Sequence, residues 1–208
     1  MNATDRTNMI RIDLMLIADM IAPGSRVLDV GCGDGALLEY LGRFKQVDGR
    51  GIELSMAGVR TAVSHGLSVI QGDADTDLRN YPDAAFDYVV LSQTLQATRD
   101  PKSVMEHLLR IGKSAIVSFP NFGHLKSRLH LMVRGRMPVT DSLPYQWWET
   151  PNIHFCTVFD FVALCRESGI AIDRGLTLDC KGRVQKFDPT GHRANLLGVQ
   201  AVYLLRRK

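Results

Sequence analysis

A chain of 208 residues that is 45% hydrophobic and 23% charged has the make-up of an ordinary globular protein, one domain or one domain with an added subregion. Its net charge of +3 is too mild for a dedicated nucleic-acid binder. No apolar run approaches the ~20 residues of a membrane helix, residues 1–7 are polar with no secretory core, and the four cysteines, Cys32, Cys156, Cys165 and Cys180, include no C-x-x-C pair. Zinc and a disulfide framework are therefore not expected, and a reducing cytoplasm is.

The first predicted element is a helix over residues 8–22, where Ile10, Leu14, Ile17 and Ile21 make one apolar stripe and Pro23-Gly24 stops it. A strand at 27–30 leads through a glycine turn into a helix at 35–44. A second strand spans 47–54, and Ser55 caps a helix that runs to His65 and closes at Gly66. A third strand is expected at 67–71, then the loop Gly72-Asp73-Ala74-Asp75, and a fourth strand at 86–91. Asp100-Pro101 starts a helix to Ile111, and a fifth strand follows at 115–119, ended by Pro120. Strands alternating with helices describe a parallel sheet with helices on both faces.

Between 121 and 154 this regularity breaks. A helix is expected at 125–133, then a long irregular stretch holding Tyr145 and both tryptophans, Trp147 and Trp148. Its length and aromatics suggest an inserted lid or partner interface within a single domain spanning 1–208; plain packing on the core is the competing reading. Thr157 and Asp160 open a last predicted helix, 157–168, closed by Gly169. Residues 170–178 and 198–205 alternate like two final strands, joined by a polar, basic loop over 180–195.

The chemistry concentrates in Val27-Leu28-Asp29-Val30-Gly31-Cys32-Gly33-Asp34-Gly35. Bare backbone at a strand-to-helix turn holds adenosine-bearing cofactors, and Gly31, Gly33 and Ala36 even satisfy the dinucleotide pattern. The acids Asp29 and Asp34 argue otherwise. Like charges at ~4 Å repel by about 4 kcal/mol at an effective dielectric near 20, so a pyrophosphate is disfavoured there and a cation is welcomed. A charge-assisted hydrogen bond of that kind contributes roughly 1.5–3 kcal/mol. Glu53, twenty residues past Gly33, ends the second strand, where a carboxylate can accept both hydroxyls of a ribose. Asp73 follows the third strand and can accept from an adenine amino group beside the N–H of Ala74. Ser92 and Gln93 end the fourth strand, where a transferable methyl group would lie. Each acid alone has an ordinary reading, as a helix-start or turn residue; together, at these spacings, they point to S-adenosylmethionine or S-adenosylhomocysteine.

With those residues in place, the chain resembles the class I S-adenosylmethionine-dependent methyltransferases. The matching motifs are the glycine turn above, Gly51-Ile52-Glu53-Leu54-Ser55, Gly72-Asp73-Ala74 and Phe86-Asp87-Tyr88-Val89-Val90. The resemblance implies a Rossmann-like α/β fold, a seven-stranded mostly parallel sheet with its last strand antiparallel. It implies a cofactor site at Asp29, Gly31, Cys32, Gly33, Gly35, Glu53, Leu54, Asp73, Ala74 and Ser92. More narrowly, Arg11-Ile12-Asp13-Leu14, Leu91-Ser92-Gln93-Thr94-Leu95-Gln96-Ala97, Val117-Ser118-Phe119-Pro120-Asn121-Phe122-Gly123-His124 and Leu143-Pro144-Tyr145-Gln146-Trp147-Trp148-Glu149-Thr150-Pro151-Asn152-Ile153-His154 are similar to the methionine biosynthesis MetW family. That likeness implies a role in methionine synthesis beside a homoserine O-acyltransferase; the mild charge and the lack of a membrane-length apolar run separately argue against a nucleic-acid or membrane partner.

Methyl transfer needs an aligned nucleophile and, for a protonated one, a base, but no metal. His124 and His154 are the candidate bases. Neither has an acidic orienter in sequence, so a helix-start role is preferred for both. Cys32 reads as a small side chain filling tight space. Lys126, Arg128, His130, Arg134 and Arg136 make a basic run, read first as a solvated helix face and second as a docking surface for an acidic partner. Two functions remain open: a binding subunit that activates or regulates an acyltransferase, and a free-standing small-molecule methyltransferase.

Overall fold

The structure is a computed structural model that describes residues 10–140 and 143–208. The polar stretch at 1–7 and the expected helix start at Asn8 lie outside the described residues. In chain order the elements are α1 (Ile12–Met20), β1 (Arg26–Val30), α2 (Ala36–Lys45), β2 (Asp48–Glu53), α3 (Met56–Ser64), β3 (Val69–Gln71), β4 (Phe86–Ser92), α4 (Pro101–Ile111), β5 (Gly112–Pro120), α5 (Leu125–Arg134), α6 (Val158–Glu167), β6 (Ile170–Leu178), α7 (His192–Leu197) and β7 (Gln200–Arg207).

The seven strands form one sheet in the order β3-β2-β1-β4-β5-β7-β6. Strands β1 to β5 pair in parallel, and β7 runs antiparallel to both β5 and β6. This is the class I methyltransferase arrangement anticipated above. The chain winds outward from β1 through β2 to β3, then returns to lay β4 on β1's other side. The C-terminal ends of β1 and β4 therefore diverge at a topological switch point, where sheets of this kind hold ligands.

Strand periodicity explains the layers. On one face Leu28, Val30, Val89, Leu91, Ala115, Val117 and Phe119 pack against Val104, Met105 and Leu108 of α4 and Val158, Phe161 and Cys165 of α6. On the other, Val27, Val90, Ile116 and Val202 meet Leu14, Ile17 and Ala18 of α1 and Leu37 and Leu41 of α2. Asp29 shares the face of Val27 by alternation, so its side chain is directed toward the α1 and α2 layer. The expected caps form: Asp100 accepts from the Ser103 N–H at 3.0 Å, and Thr157 and Asp160 make a reciprocal capping box.

Three expectations need correction. Strand β3 is only Val69–Gln71, because Leu67 leaves the ladder to pack with Val59 and Ala62 of α3. Strand β5 includes Pro120, whose missing N–H is no obstacle at a strand end. The expected loop over 180–195 runs into α7, a six-residue helix held between Gly191 and Gly198. It is too short for periodicity to reveal, and buried Ala194 and Asn195 hold it by tertiary contact. Among the described residues no helix is long and apolar enough to cross a membrane.

Candidate functional site

The glycine turn connects β1 to α2 with three left-handed residues, Gly31 (φ +73°), Gly33 (φ +58°) and Gly35 (φ +82°). The N–H groups of Gly31 and Cys32 both donate to the Ile52 carbonyl, at 2.8 and 3.1 Å, which folds the turn back onto β2. A Cβ at Gly31 would lie 2.5 Å from the Thr94 hydroxyl, so the backbone there is bare by necessity. Cys32 fills the space over Gly51, where an added Cβ would meet its sulfur at 2.7 Å. Burial, with Asp29 and Glu53 nearby, pushes the Cys32 thiol up to about 12. It packs as a small apolar group and is no nucleophile.

Four carboxylates surround this turn and differ in their partners. Glu53 accepts from the Gly33 N–H and the Ser55 N–H, both at 2.8 Å, one on each oxygen. That rigidifies the acid and leaves lone pairs on both oxygens for a ligand's hydroxyls. Asp34 is exposed and accepts from the Ala36 N–H at 3.2 Å, so it serves the start of α2. Asp73 accepts from the Asp75 N–H at 2.9 Å through one oxygen only. Asp29 is 3% exposed, and its Oδ1 has no hydrogen-bond partner among the described residues. Desolvation first, and the Glu53 charge second, raise its carboxyl to about 7; the nearby Arg11 guanidinium opposes this only in part, being engaged with Asp13 at 2.7 Å.

A cleft of about 360 Å³ opens at the switch point. Of the expected cofactor residues, Gly31, Glu53, Leu54, Asp73 and Ala74 line it. Cys32, Gly33 and Gly35 belong to the adjoining turn, and Asp29, buried near the end of β1 two residues before Gly31, does not line the cleft. Ser92 does not line the cleft: its hydroxyl meets that of Ser118 at 3.1 Å, in the floor between β4 and β5. Its neighbours Gln93 and Thr94 take the wall. Gln93 is left-handed at φ +55°, held by bonds from its N–H to the Ser118 carbonyl (2.9 Å) and hydroxyl (3.2 Å). That conformation is uncommon for a residue with a Cβ and is imposed where the side chain faces the cleft.

Sequence reasoning missed Asp75, Arg99 and Asn152, which also line the cleft. Asp75 accepts from the backbone N–H groups of Arg99 and Asp100, tying the β3 loop to the start of α4. The irregular segment reaches the cleft because Ile153 and His154 both donate to the Gln96 carbonyl, at 2.9 and 3.0 Å. No local pattern announces such a long-range backbone pairing. Among the described residues the side chains of the cleft comprise three acids, Glu53, Asp73 and Asp75, against the single cation Arg99, so it is suited to a positively charged guest.

The two histidines lie apart. His124 caps α5, its Nδ1 accepting from the Lys126 N–H at 3.2 Å, and burial and Lys126 lower its pKa. It borders a second cavity of about 480 Å³ with Arg11, Asp13 and Gln200. His154 is exposed and its Nε2 meets the Arg99 carbonyl at 3.2 Å, just before α4 rather than at the following helix as expected. Neither lines the cleft, and among the described residues no histidine, cysteine, lysine or tyrosine does. The arrangement can bind and orient a cationic, hydroxyl-bearing ligand; its acids are engaged as hydrogen-bond acceptors.

The profile of the family described as methionine biosynthesis protein MetW matches residues 11–205. A bifunctional methionine biosynthesis protein MetXA/MetW of Rhodopirellula baltica is 32% identical over 86% of this chain, which spans only 30% of that relative. A ubiquinone biosynthesis O-methyltransferase of Xylella fastidiosa is 31% identical, covering 83% of this chain and 69% of its own length. Among solved structures, an S-adenosylmethionine-dependent methyltransferase from Mesorhizobium loti superposes with a TM-score of 0.66 at 16% identity, over 95% of this chain and 98% of its own. A methyltransferase of this dependence from Thermotoga maritima gives 0.63 at 16% identity, over 98% and 91%. These likenesses show the fold.

Proposed function

The chain belongs to the methionine biosynthesis protein MetW family, and on that footing we propose that it is an S-adenosylmethionine-binding subunit of methionine synthesis. In this reading it activates or regulates a homoserine O-acyltransferase in the cytoplasm. The observation that carries the ligand is the buried carboxylate of Asp29, unpartnered at Oδ1 just before the glycine turn. A buried acid left without partners is costly, and a bound ammonium would offset that cost.

The residues present fit such a ligand. Gly31 leaves bare backbone, Glu53 keeps acceptor capacity for hydroxyls, Asp73 has a spare oxygen beside Ala74, and the cleft is acidic. When bound, the sulfonium supplies an activated methyl group. This chain's residues hold and orient it, but none of those lining the cleft is free to act as a strong base. That shortage favours a binding role over turnover. The partner is supported by the Rhodopirellula relative, whose MetXA and MetW parts share one polypeptide, together with the motif resemblance described above.

The experiment is to mix the purified chain with the homoserine O-acyltransferase of the same organism and follow co-elution and acyltransferase kinetics. The reading expects a stable pair and an altered rate. Separate elution with unchanged kinetics would overturn it. The alternative, a free-standing small-molecule methyltransferase, draws on the second cavity of about 480 Å³, which could admit an acceptor. A methyl-release assay against small-molecule extract separates the two, since turnover well above blank favours the enzyme.

A further inference from the structure

Helix α5 is turned inside out. Its 3.6-residue period places Leu125, Leu129, Met132 and Val133 on one side, and all four are exposed, Met132 and Val133 at 75% each. The helix's one buried residue, Ser127, lies opposite. An amphipathic helix normally buries its apolar stripe; this one offers it outward. The segment that follows exposes Met137, Tyr145, Trp147 (69% exposed) and Trp148 (63% exposed), and Met137, Tyr145 and Trp147 border one pocket. The two indoles stack edge to face with ring centres 5.7 Å apart. Apolar surface of this extent marks an interaction site.

The charge around it selects the occupant. Lys126 and Arg128 flank the stripe on either side, and Arg134, on the side of Ser127, and Arg136 follow at the helix's C-terminal end. From Gly112 to Thr140 the sequence has no Asp or Glu, and among the described residues no salt bridge pairs any of these four cations. Three of the four are arginines, which bind carboxylates in planar, bidentate fashion, and Trp, Tyr, Met and Arg are the residues enriched at protein interfaces. A second copy of the chain is disfavoured, because a two-fold contact on this face would set basic groups against basic groups.

We infer that the outward face of α5 with the Trp147-Trp148 segment docks onto an apolar, acid-rimmed surface of the acyltransferase partner. This rests on the reading above that such a partner exists. The same segment ends at Asn152, which lines the cleft, and at Ile153 and His154, whose N–H groups donate to the Gln96 carbonyl. Trp147 and Trp148 thus lie close along the chain to a residue of the ligand site.

The test measures affinity of the full chain for the purified acyltransferase. Three double variants are compared, Met132→Ser with Val133→Ser, Trp147→Ala with Trp148→Ala, and Arg134→Glu with Arg136→Glu, beside a control, Phe44→Ser at an exposed position of α2. Each patch variant is expected to bind at least tenfold more weakly, with a melting point and an S-adenosylmethionine affinity close to wild type. Wild-type affinity is expected to fall as salt rises, and the Arg variant to lose that dependence. Wild-type binding that survives all three doubles would overturn the docking surface and leave the partnership standing. No wild-type binding would sink the partnership and the surface with it. Loss of a homodimer in the variants, or wild-type binding to anionic phosphatidylglycerol vesicles without acyltransferase binding, would reassign the face to a second copy or a membrane.

Discussion

Asp29 is the residue on which the site's energetics turn. Its carboxyl stands at about 7 in the folded chain, against an ordinary value near 3.8. A pKa raised on folding contributes stability that is fully present below the unfolded value and is lost as pH rises through the folded one. The ligand-free protein should therefore lose stability between about pH 4 and pH 7, by up to roughly 4 kcal/mol if Asp29 alone sets the slope. Melting curves of wild type and Asp29→Asn check this: the variant should gain on wild type steadily across that range. A constant difference at every pH would contradict it. Gly31 offers a second test. A side chain there meets Thr94 and must adopt φ +73°. Gly31→Ala should weaken S-adenosylmethionine binding by tenfold or more, and Gly31→Ala with Thr94→Ala should recover only part, because the backbone strain remains.

At the scale of elements, Asn121 is the joint that sets the segment's direction as it leaves β5. Its amide donates to the carbonyls of Asn195 (2.9 Å) and Gly198 (2.7 Å) around the end of α7, and its oxygen accepts from Gly123 (2.9 Å) and Val158 (3.3 Å) at the start of α6. It is 2% exposed, so Asn121→Ala would leave several buried groups unpaired. The expected cost is about 2–4 kcal/mol, read as a melting point lower by roughly 5–15 °C. The alternation of strands and helices from α1 to β5 was legible because each core face repeats with its own period, as with Leu14, Ile17 and Ile21. That Gly31, Glu53 and Asp73 meet at one cleft was legible because all three sit at the C-terminal ends of parallel strands. Helix α7 was not, being too short for a period. The clamp from Gln96 to Ile153 and His154 was not, because a backbone pairing across 57 residues leaves no mark on local sequence. The outward apolar stripe of α5 was not legible, because which way the helix faced was decided only by tertiary packing at Ser127.

At the scale of the whole molecule, the cleft and the outward face of α5 are joined through one segment. A ligand can shift the partner's activity only by favouring one state of the complex, and the coupling is reciprocal. Saturating S-adenosylmethionine should therefore change acyltransferase kinetics in the assembled pair, and the acyltransferase should change S-adenosylmethionine affinity by the same factor as the ligand changes pairing. Unchanged affinities in both directions would sever the two sites. The claim beneath all of this is that the buried Asp29 anchors a cationic ligand, and isothermal titration of S-adenosylmethionine into wild type and Asp29→Ala, from pH 5.5 to 8.5, tests it most directly. The ligand's ammonium would meet an ionised Asp29 only above its pKa of about 7, and an α-amino group deprotonates at about 7.7–8.0. Wild-type affinity should thus rise to a maximum near pH 7.5, and Asp29→Ala should lose roughly one to two decades there and lack the rise. No binding by wild type, or equal affinity in the two proteins, would contradict the account.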